Sequence, residues 1–448
     1  MTAPKITFVN HASVHIRTDN VGLLSDPWYS GDAFHHGWNL LSEPDPVKIK
    51  ELLADTTHLW LSHEHPDHFS IKFFKEYKDV LLDNNIKIIF QHTEDKRVMN
   101  FLSANGLDVT ELDFGKKVEL APDFSVTCIK DGFYDSGLCI EASGQTILNL
   151  NDCDITTVER ASEVFDVVGV CDVLLTQFSY AAWKGGKENK AWRELAAREK
   201  LNSVAIQVDT FKPKIVIPFA SFVYFSNERN FYLNDAVNRP TSVVEKLQHA
   251  NVKVNVMQPF DVFDGTYDEA SCKKAIVFWE DHLKNIPLKP KSKYTKIAMS
   301  ILETSFSIYQ KRVFSNNSRS FMRLIKKVIP MKVFTPITIH LDDIGKTVVV
   351  DLFNSELAET TAKADLVMAS ESLHFLFTNA FGFDTLTVNG CFEEQQEGGF
   401  AKAAKSLAIE NLNNLGIQFR PSILVNIKLI WMFLGKLKNV TKKIKMRG

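Results

Sequence analysis

Six consecutive residues, His63-Glu64-His65-Pro66-Asp67-His68, put three imidazoles and two carboxylates into one short run. In an extended strand end, residues two apart point to the same side, so His63 and His65 can converge on one cation. Asp67 and His68 lie on the turn that follows and can face a second cation beside the first. Imidazole nitrogen together with carboxylate oxygen suits Zn²⁺, with Fe²⁺ or Mn²⁺ as alternatives. A solvated His-rich turn is the bland explanation. A buried strand end, however, is a costly place for four ionisable groups unless something pairs them.

The flanking pattern places the run. THLWLS reads as a buried strand ending at Ser62, and SIKFFKEYKDVLL carries Ile71, Phe74, Tyr77, Val80 and Leu81 at helical spacing. Residues 5 to 26 read as two short strands, KITFVN and VGLLS, with SVHIRTDN as a turn and a loop opening at Asp26-Pro27. IKIIF is a further strand, and KRVMNFLSANG is a helix closing at a Gly C-cap. From 107 to 150 strands dominate; beyond Asp152, CDVLLTQ and KIVIPFA flank the long helix NKAWRELAAREKLNSVAIQVD. This order predicts an α/β fold, an αβ/βα sandwich of two mixed sheets between helices.

At 448 residues the chain is long enough for two domains. The Pro- and Lys-rich stretch NIPLKPKSK marks the boundary, giving a first domain over 1–284 and an α+β domain over 293–448. In the second, TPITIHLDD, KTVVVDLF and DTLTVNGCFEE read as strands, and SESLHFLFTNAF and AKAAKSLAIENLNNLG as helices. The segment from Pro421 to Gly448 mixes apolar residues with Lys and Arg. It reads as a basic amphipathic tail that docks on its domain or touches a membrane surface.

Composition narrows the function classes. The net charge of −2 gives no argument for nucleic acid as a partner. Six cysteines without CxxC pairing argue against a zinc ribbon or disulfide framework and fit a reducing compartment. Neither a signal peptide nor an apolar run of 18 residues is apparent, so the expected location is cytoplasmic.

The His63–His68 run resembles the HxHxDH motif of the metallo-β-lactamase superfamily. The resemblance extends to Asp26, where that superfamily has a structural aspartate, and to Asp152 in ILNLNDCD, where it has a metal-bridging one. It implies metal ligands His63, His65, Asp67, His68 and Asp152, with Asp67 or Asp152 accepting a proton during catalysis. LSDPWYSGDAFHHGWNLL, LWLSHEHPDHFS, ILNLNDCD and PKIVIPFASFVYFS, among other segments within 6–262, further resemble the metallo-β-lactamase-like region of CMP-N-acetylneuraminate hydroxylase and bacterial relatives. No Cys-x-His plus Cys-x-x-His pair corresponds to that hydroxylase's Rieske domain.

Two departures matter. The turn before Asp152, KDGFYDSGL, has Asp131 and Asp135 where many hydrolases of the superfamily have a His. PFASF stands where they have a late His. Substitutes are Asp131, Asp135, His92, His35 or His36; without one, a second ion rests on Asp67, His68 and Asp152 alone.

The expected activity is metal-dependent hydrolysis of a phosphorylated or nucleotide-linked sugar, or a related glycan precursor, through a metal-bound hydroxide at two possible sites. A dinuclear-iron hydroxylase with an external electron donor is the alternative, since a carboxylate in the turn resembles such enzymes on this fold. A metal- or ligand-binding protein with weak turnover is the third reading. Three weaker signals accompany these. His11 is either buried and backbone-bonded or part of the site. Trp28, Tyr29, Phe34 and Trp38 either line a cleft or pack, and Lys184-Gly185-Gly186-Lys187 is a basic loop suited to phosphate. The second domain resembles the sterol-carrier-protein-like fold.

Overall fold

The computed structural model describes residues 3–329 and 332–425. It divides into two compact units, Met1–Lys293 with Val388–Gly390, and Tyr294–Thr387 with Cys391–Gly448.

The first unit contains two seven-stranded sheets. One runs in the order Val262–Phe263, Lys5–Asn10, Ser13–Arg17, Gly22–Ser25, His58–Leu61, Lys87–Gln91, Val109–Leu112. The other runs Lys253–Val254, Ile215–Phe219, Val173–Gln177, Gln145–Asn151, Asp135–Ala142, Phe124–Asp131, Lys117–Ala121. Both are mixed: hairpins pair antiparallel, and strands joined through helices pair parallel.

Alternation along the strands explains the layering. Leu23, Trp60 and Ile89 point into a core shared with Val126, Leu138, Ile147 and Leu174 of the other sheet. Their neighbours Leu24, Leu59, Leu61, Ile88 and Phe90 point the opposite way, against Ile49, Leu53, Phe73, Phe74 and Leu102 from helices. The first sheet is thus apolar on both faces, which suits a strand layer packed between a second sheet and helices.

Three local readings change. Ser13–Arg17, read as a turn, is a strand, because Val14 and Ile16 pair with Phe8 and Ile6 and stay buried. The turn contracts to Asn10–Ser13, just after a register shift between Phe8 and Asn10. The helix over 71–81 is two pieces, Ile71–Glu76 and Lys78–Asp83, kinked at Tyr77, although Tyr77 N and Leu81 N still donate to carbonyls four residues back. The loop from Trp28 to Pro46 contains a strand, Trp38–Leu40, paired with Val223–Phe225, and a helix starts at Pro46 behind the Asp45 cap.

The boundary stretch is tied into the first unit. Ser292 N donates to the Ser226 carbonyl at 2.9 Å, Glu228 N to the Ser292 carbonyl at 3.0 Å, and Lys289 Nζ to the Leu41 carbonyl at 2.8 Å. Proline and lysine content there reflects a surface strap, not a slack linker.

The second unit has a five-stranded sheet in the order Ala358–Glu359, Lys346–Val350, Ile337–Leu341, Leu366–Met368, Phe392–Glu394. Helices Met299–Asn316 and Ser370–Thr378 pack together through Phe306, Tyr309 and Phe377. DTLTVN, read as a strand, lies in helix Gly382–Asn389. Its β-branched residues favour a strand, but Gly382 sits so close to Leu376 that a Cβ would fall 2.4 Å from the Leu376 Cα, and Thr385 N donates to the Phe381 carbonyl. The tail beyond Val425 lies outside the described residues.

Candidate metal centre

The His63–His68 run leaves the first sheet at Ser62, and Asp152 follows the Gln145–Asn151 strand of the second. The ends of both sheets therefore meet at one place. Non-glycine residues in left-handed backbone surround it: His11 (φ 36°), Asp26 (φ 36°), Asn151 (φ 54°) and Ala220 (φ 46°), each at or beside the end of a strand. Such residues cost about 1–3 kcal/mol apiece and persist where the surroundings over-determine them, commonly at functional sites.

Asp26 organises the floor. Its Oδ1 accepts from Ser62 N at 2.8 Å, and its Oδ2 from Ser62 Oγ at 2.8 Å, from Asn151 Nδ2 and from His68 Nδ1 at 3.1 Å. Donation from His68 Nδ1 assigns the tautomer and leaves Nε2 facing the opposite way. That Nε2 lies 3.3 Å from Asp67 Oδ2 and 3.5 Å from Asp152 Oδ2, yet without hydrogen-bond alignment to either. The Ser62 carbonyl accepts from Gln91 Nε2 at 2.7 Å and Ser136 Oγ at 2.6 Å, so the strand end is fully pinned.

Three overlapping groups offer ligand atoms within 4.8 Å of one another: His63, His65 and Asp135; His63, His68 and Asp152; His11, Asp67 and His68. Each consists of two imidazoles and one carboxylate. Asp152 Oδ2 stands 3.7 Å from His63 Nε2 and 3.5 Å from His68 Nε2, between the two ends of the cluster. Donors that share a cation at about 2.0–2.2 Å stand roughly 3–3.5 Å apart, so the His68 spacing fits metal ligation and the His63 spacing is slightly wider.

The unpaired atoms agree. His11 Nδ1, Asp67 Oδ1, His68 Nε2, Asp135 Oδ1 and Asp152 Oδ1 are buried without a hydrogen-bond partner. Native interiors rarely leave such atoms orphaned, and a carboxylate left so costs several kcal/mol. Five together, all in one cluster, are the signature of a cation site.

Charge follows the same geometry. Burial pushes His63 and His11 down. Burial would also lower His68, but Asp67, Asp152 and Asp26 outweigh it and raise it well above the usual imidazole range. Asp67 and Asp152 are held well below the carboxylate range despite burial, Asp67 chiefly by His68 and Asp152 by His63 and His68. Asp135 goes the other way, up to about 7, through burial and then the Asp152 charge.

The substitutes separate cleanly. Asp135 joins the cluster, its Oδ1 3.6 Å from His63 Nε2. Asp131, its partner across the hairpin, is used structurally, accepting from Asp154 N and Arg160. His92 pairs with Glu111 at 3.3 Å and His36 with Asp32 at 2.6 Å; among the described residues neither they nor His35 join the three groups. PFASF, where the late His is absent, adjoins His11: Ala220 N donates to the His11 carbonyl at 2.8 Å, and His11 Nε2 lies 3.3 Å from Asp67 Oδ2. His11 thus stands beside Asp67 and His68 in one of the three groups.

No protein-family model matches the sequence. The chain is similar to cytidine monophosphate-N-acetylneuraminic acid hydroxylase of Danio rerio (26% identity over 261 residues, 54% of this chain and 42% of the relative) and of Cricetulus griseus (28% over 246 residues, 52% and 42%). It thus spans less than half the length of these relatives. Among solved structures it is similar to Igni18, a metallo hydrolase of Ignicoccus hospitalis (17% identity, TM-score 0.42, 60% of this chain and 100% of that one). It is also similar to CmlA, a diiron β-hydroxylase of Streptomyces venezuelae (14%, TM-score 0.43, 59% and 54%). Two mixed sheets between helices, with the His63–His68 run closing one and Asp152 the other, decide the architecture.

The fold is the metallo-β-lactamase sandwich.

Around this centre three of the loop aromatics pack, while Tyr29, itself buried, borders a pocket with Ser70, Phe73 and Tyr77. Trp28, Phe34 and Trp38 are buried; Trp28 meets the His11 ring edge-on at 5.7 Å, and Phe34 meets His65 at 5.5 Å. Ser62, Gln91, Ser136 and Asn151 were not singled out from sequence. Only Ser62 and Asn151 carried a signal, each immediately preceding a candidate ligand or its neighbour. Of Lys184–Lys187, the Gly186 and Lys187 carbonyls accept from Arg193 at 2.7 and 3.0 Å, which fixes the backbone of this loop.

Proposed function

We propose that this chain is a two-metal enzyme that hydroxylates a small polar substrate, with a nucleotide-linked or phosphorylated sugar as the class. One ion would be held by His63, His65 and Asp135, the other by His11, Asp67 and His68, with Asp152 between them. The observation carrying this reading is Asp135, a carboxylate from the turn that joins His63 and His65 in one group; two imidazoles and a carboxylate are the ligand types of non-haem iron oxygenases. Iron in such a set supplies dioxygen activation, and the electrons would come from a separate donor. The similarity to sialic acid nucleotide hydroxylases supports both the reaction class and the substrate class.

The chain's own residues perform definite tasks. Asp26 holds His68 by Nδ1, so that Nε2 can act as a ligand. His11 orients Asp67 through Oδ2, leaving Oδ1 without a hydrogen-bond partner. Trp28 and Phe34 wall the imidazoles of His11 and His65 and exclude water from that side.

Hydrolysis by two zinc ions is the second reading, and the His11–Asp67 pair favours it, because a buried imidazole–carboxylate dyad can accept a proton from water. Two measurements on purified protein separate these readings. Iron as the native metal, with turnover of a nucleotide sugar that requires dioxygen and a reductant, supports hydroxylation. Zinc content with equal turnover under anaerobic conditions overturns it in favour of hydrolysis.

A further inference from the structure

A cavity of about 590 Å³ opens in the first unit between helix Lys190–Phe211 and the segment after Asp152. Helix residues Ala196, Glu199, Lys200, Ser203 and Ile206 line one wall, at the three- and four-residue spacing that puts side chains on one face. Asp154 and Thr156 line the opposite wall, where Gln207 Nε2 anchors the segment by donating to the Ile155 carbonyl at 3.1 Å. Lys184 and Tyr180 close the cavity from the preceding loop. That loop is rigid: Arg193 grips two of its carbonyls and pairs with Asp235. Tyr180 Oη is committed to the Leu233 carbonyl.

Lys184 and Lys200 are both half-buried, and neither ammonium has a hydrogen bond or ion pair among the described residues. Every well-made use of a half-buried lysine elsewhere in this unit has a partner, as with Lys96 and Glu111 or Lys289 and the Leu41 carbonyl. Two unpaired cations on one cavity repel each other and lose hydration, and an anion between them relieves both costs. Burial, then the Lys200 charge, lowers Lys184, while the Asp154 and Glu199 charges oppose that shift. Asp154 and Glu199 on the rim disfavour a bare polyanion and suit a ligand that also offers hydroxyl donors. Asp154 is two residues from Asp152, so their Cα atoms stand no more than roughly 7 Å apart.

We infer that this cavity receives the phosphate of a hydroxyl-bearing substrate, with Lys184 and Lys200 as its counter-charges, while the reacting end of the same molecule reaches the Asp152 cluster. The inference rests on the two-metal reading for the reacting end only; the phosphate site stands on the lysines. Inorganic pyrophosphate, titrated calorimetrically into the full chain, is the probe. It is also titrated into full-length His63→Ala/His65→Ala protein and into Lys184→Gln/Lys200→Gln versions of both. Lys184→Arg/Lys200→Arg, with thermal melts, controls for folding.

The expected result is at least a tenfold loss of affinity in the glutamine variants in both backgrounds, with the arginine variant retaining binding. Binding lost in the His63→Ala/His65→Ala protein but kept in the lysine variants would put the anion on the metals, overturning the phosphate cavity and sparing the two-metal reading. No detectable pyrophosphate binding overturns the cavity as well, while the native metal content still decides the other reading.

Discussion

His11 Nε2 lies 3.3 Å from Asp67 Oδ2, both side chains almost wholly buried, although 56 residues separate them. His11 Nδ1 has no partner, so the ring is not a satisfied core histidine. Ala220 holds the His11 turn at the end of the strand where the late ligand was missing. His11→Ala should weaken the second of two metal-binding steps by roughly 10–100-fold, the range for losing an oriented ligand contact, and leave the first within a few-fold. Titration of metal-free protein reads both steps, and an unchanged second step would return His11 to a packing role.

His63→Ala combined with His65→Ala should strip the ion held by His63, His65 and Asp135 while the fold persists, because the run sits beyond the strand and the sheet core does not depend on it. Metal analysis after gel filtration checks the first half and circular dichroism the second. Full metal content in the double variant would move the centre elsewhere.

Asp26 carries the floor of the site. Asp26→Ala leaves Ser62 N, Ser62 Oγ, Asn151 Nδ2 and His68 Nδ1 without their acceptor. A loss of about 3 kcal/mol is expected from breaking such a buried network, together with weakened metal binding. Urea unfolding of the metal-free protein isolates the stability part; a change under 1 kcal/mol would contradict it.

Asp135 gives the pH dependence its sign. Burial and Asp152 raise its carboxyl to about 7, above the ordinary carboxylate range near 4. In metal-free protein the unfolded chain loses this proton first, so the contribution of Asp135 to stability falls as pH rises through that window. Metal binding needs the carboxylate, so affinity should rise with pH up to about 7, with His68 adding a further proton release above it. Calorimetry in buffers of different ionisation enthalpy counts the protons. Asp135→Asn should remove the component below 7, and an identical pH profile in that variant would exclude it from the ligand set.

What was legible in the chain was local. Alternation in THLWLS and TILNLN, and the helical spacing of 190–211, set the layers of the sandwich, because burial repeats with the period of each element. His63, His65, Asp67 and His68 were legible for the same reason: their spacing is a property of one strand end. Asp152 followed from resemblance and its place after a strand. His11 and Asp135 were decided only by tertiary structure. Each belongs to a hairpin whose sequence looks ordinary, and their roles arise where strand ends from both sheets converge. The left-handed backbone at His11, Asp26, Asn151 and Ala220 was equally hidden, since none is glycine and only the surrounding hydrogen bonds hold them there. Short-range periodicity encodes layers, whereas the meeting of residues 11 to 152 in one cluster depends on distances that no local pattern contains.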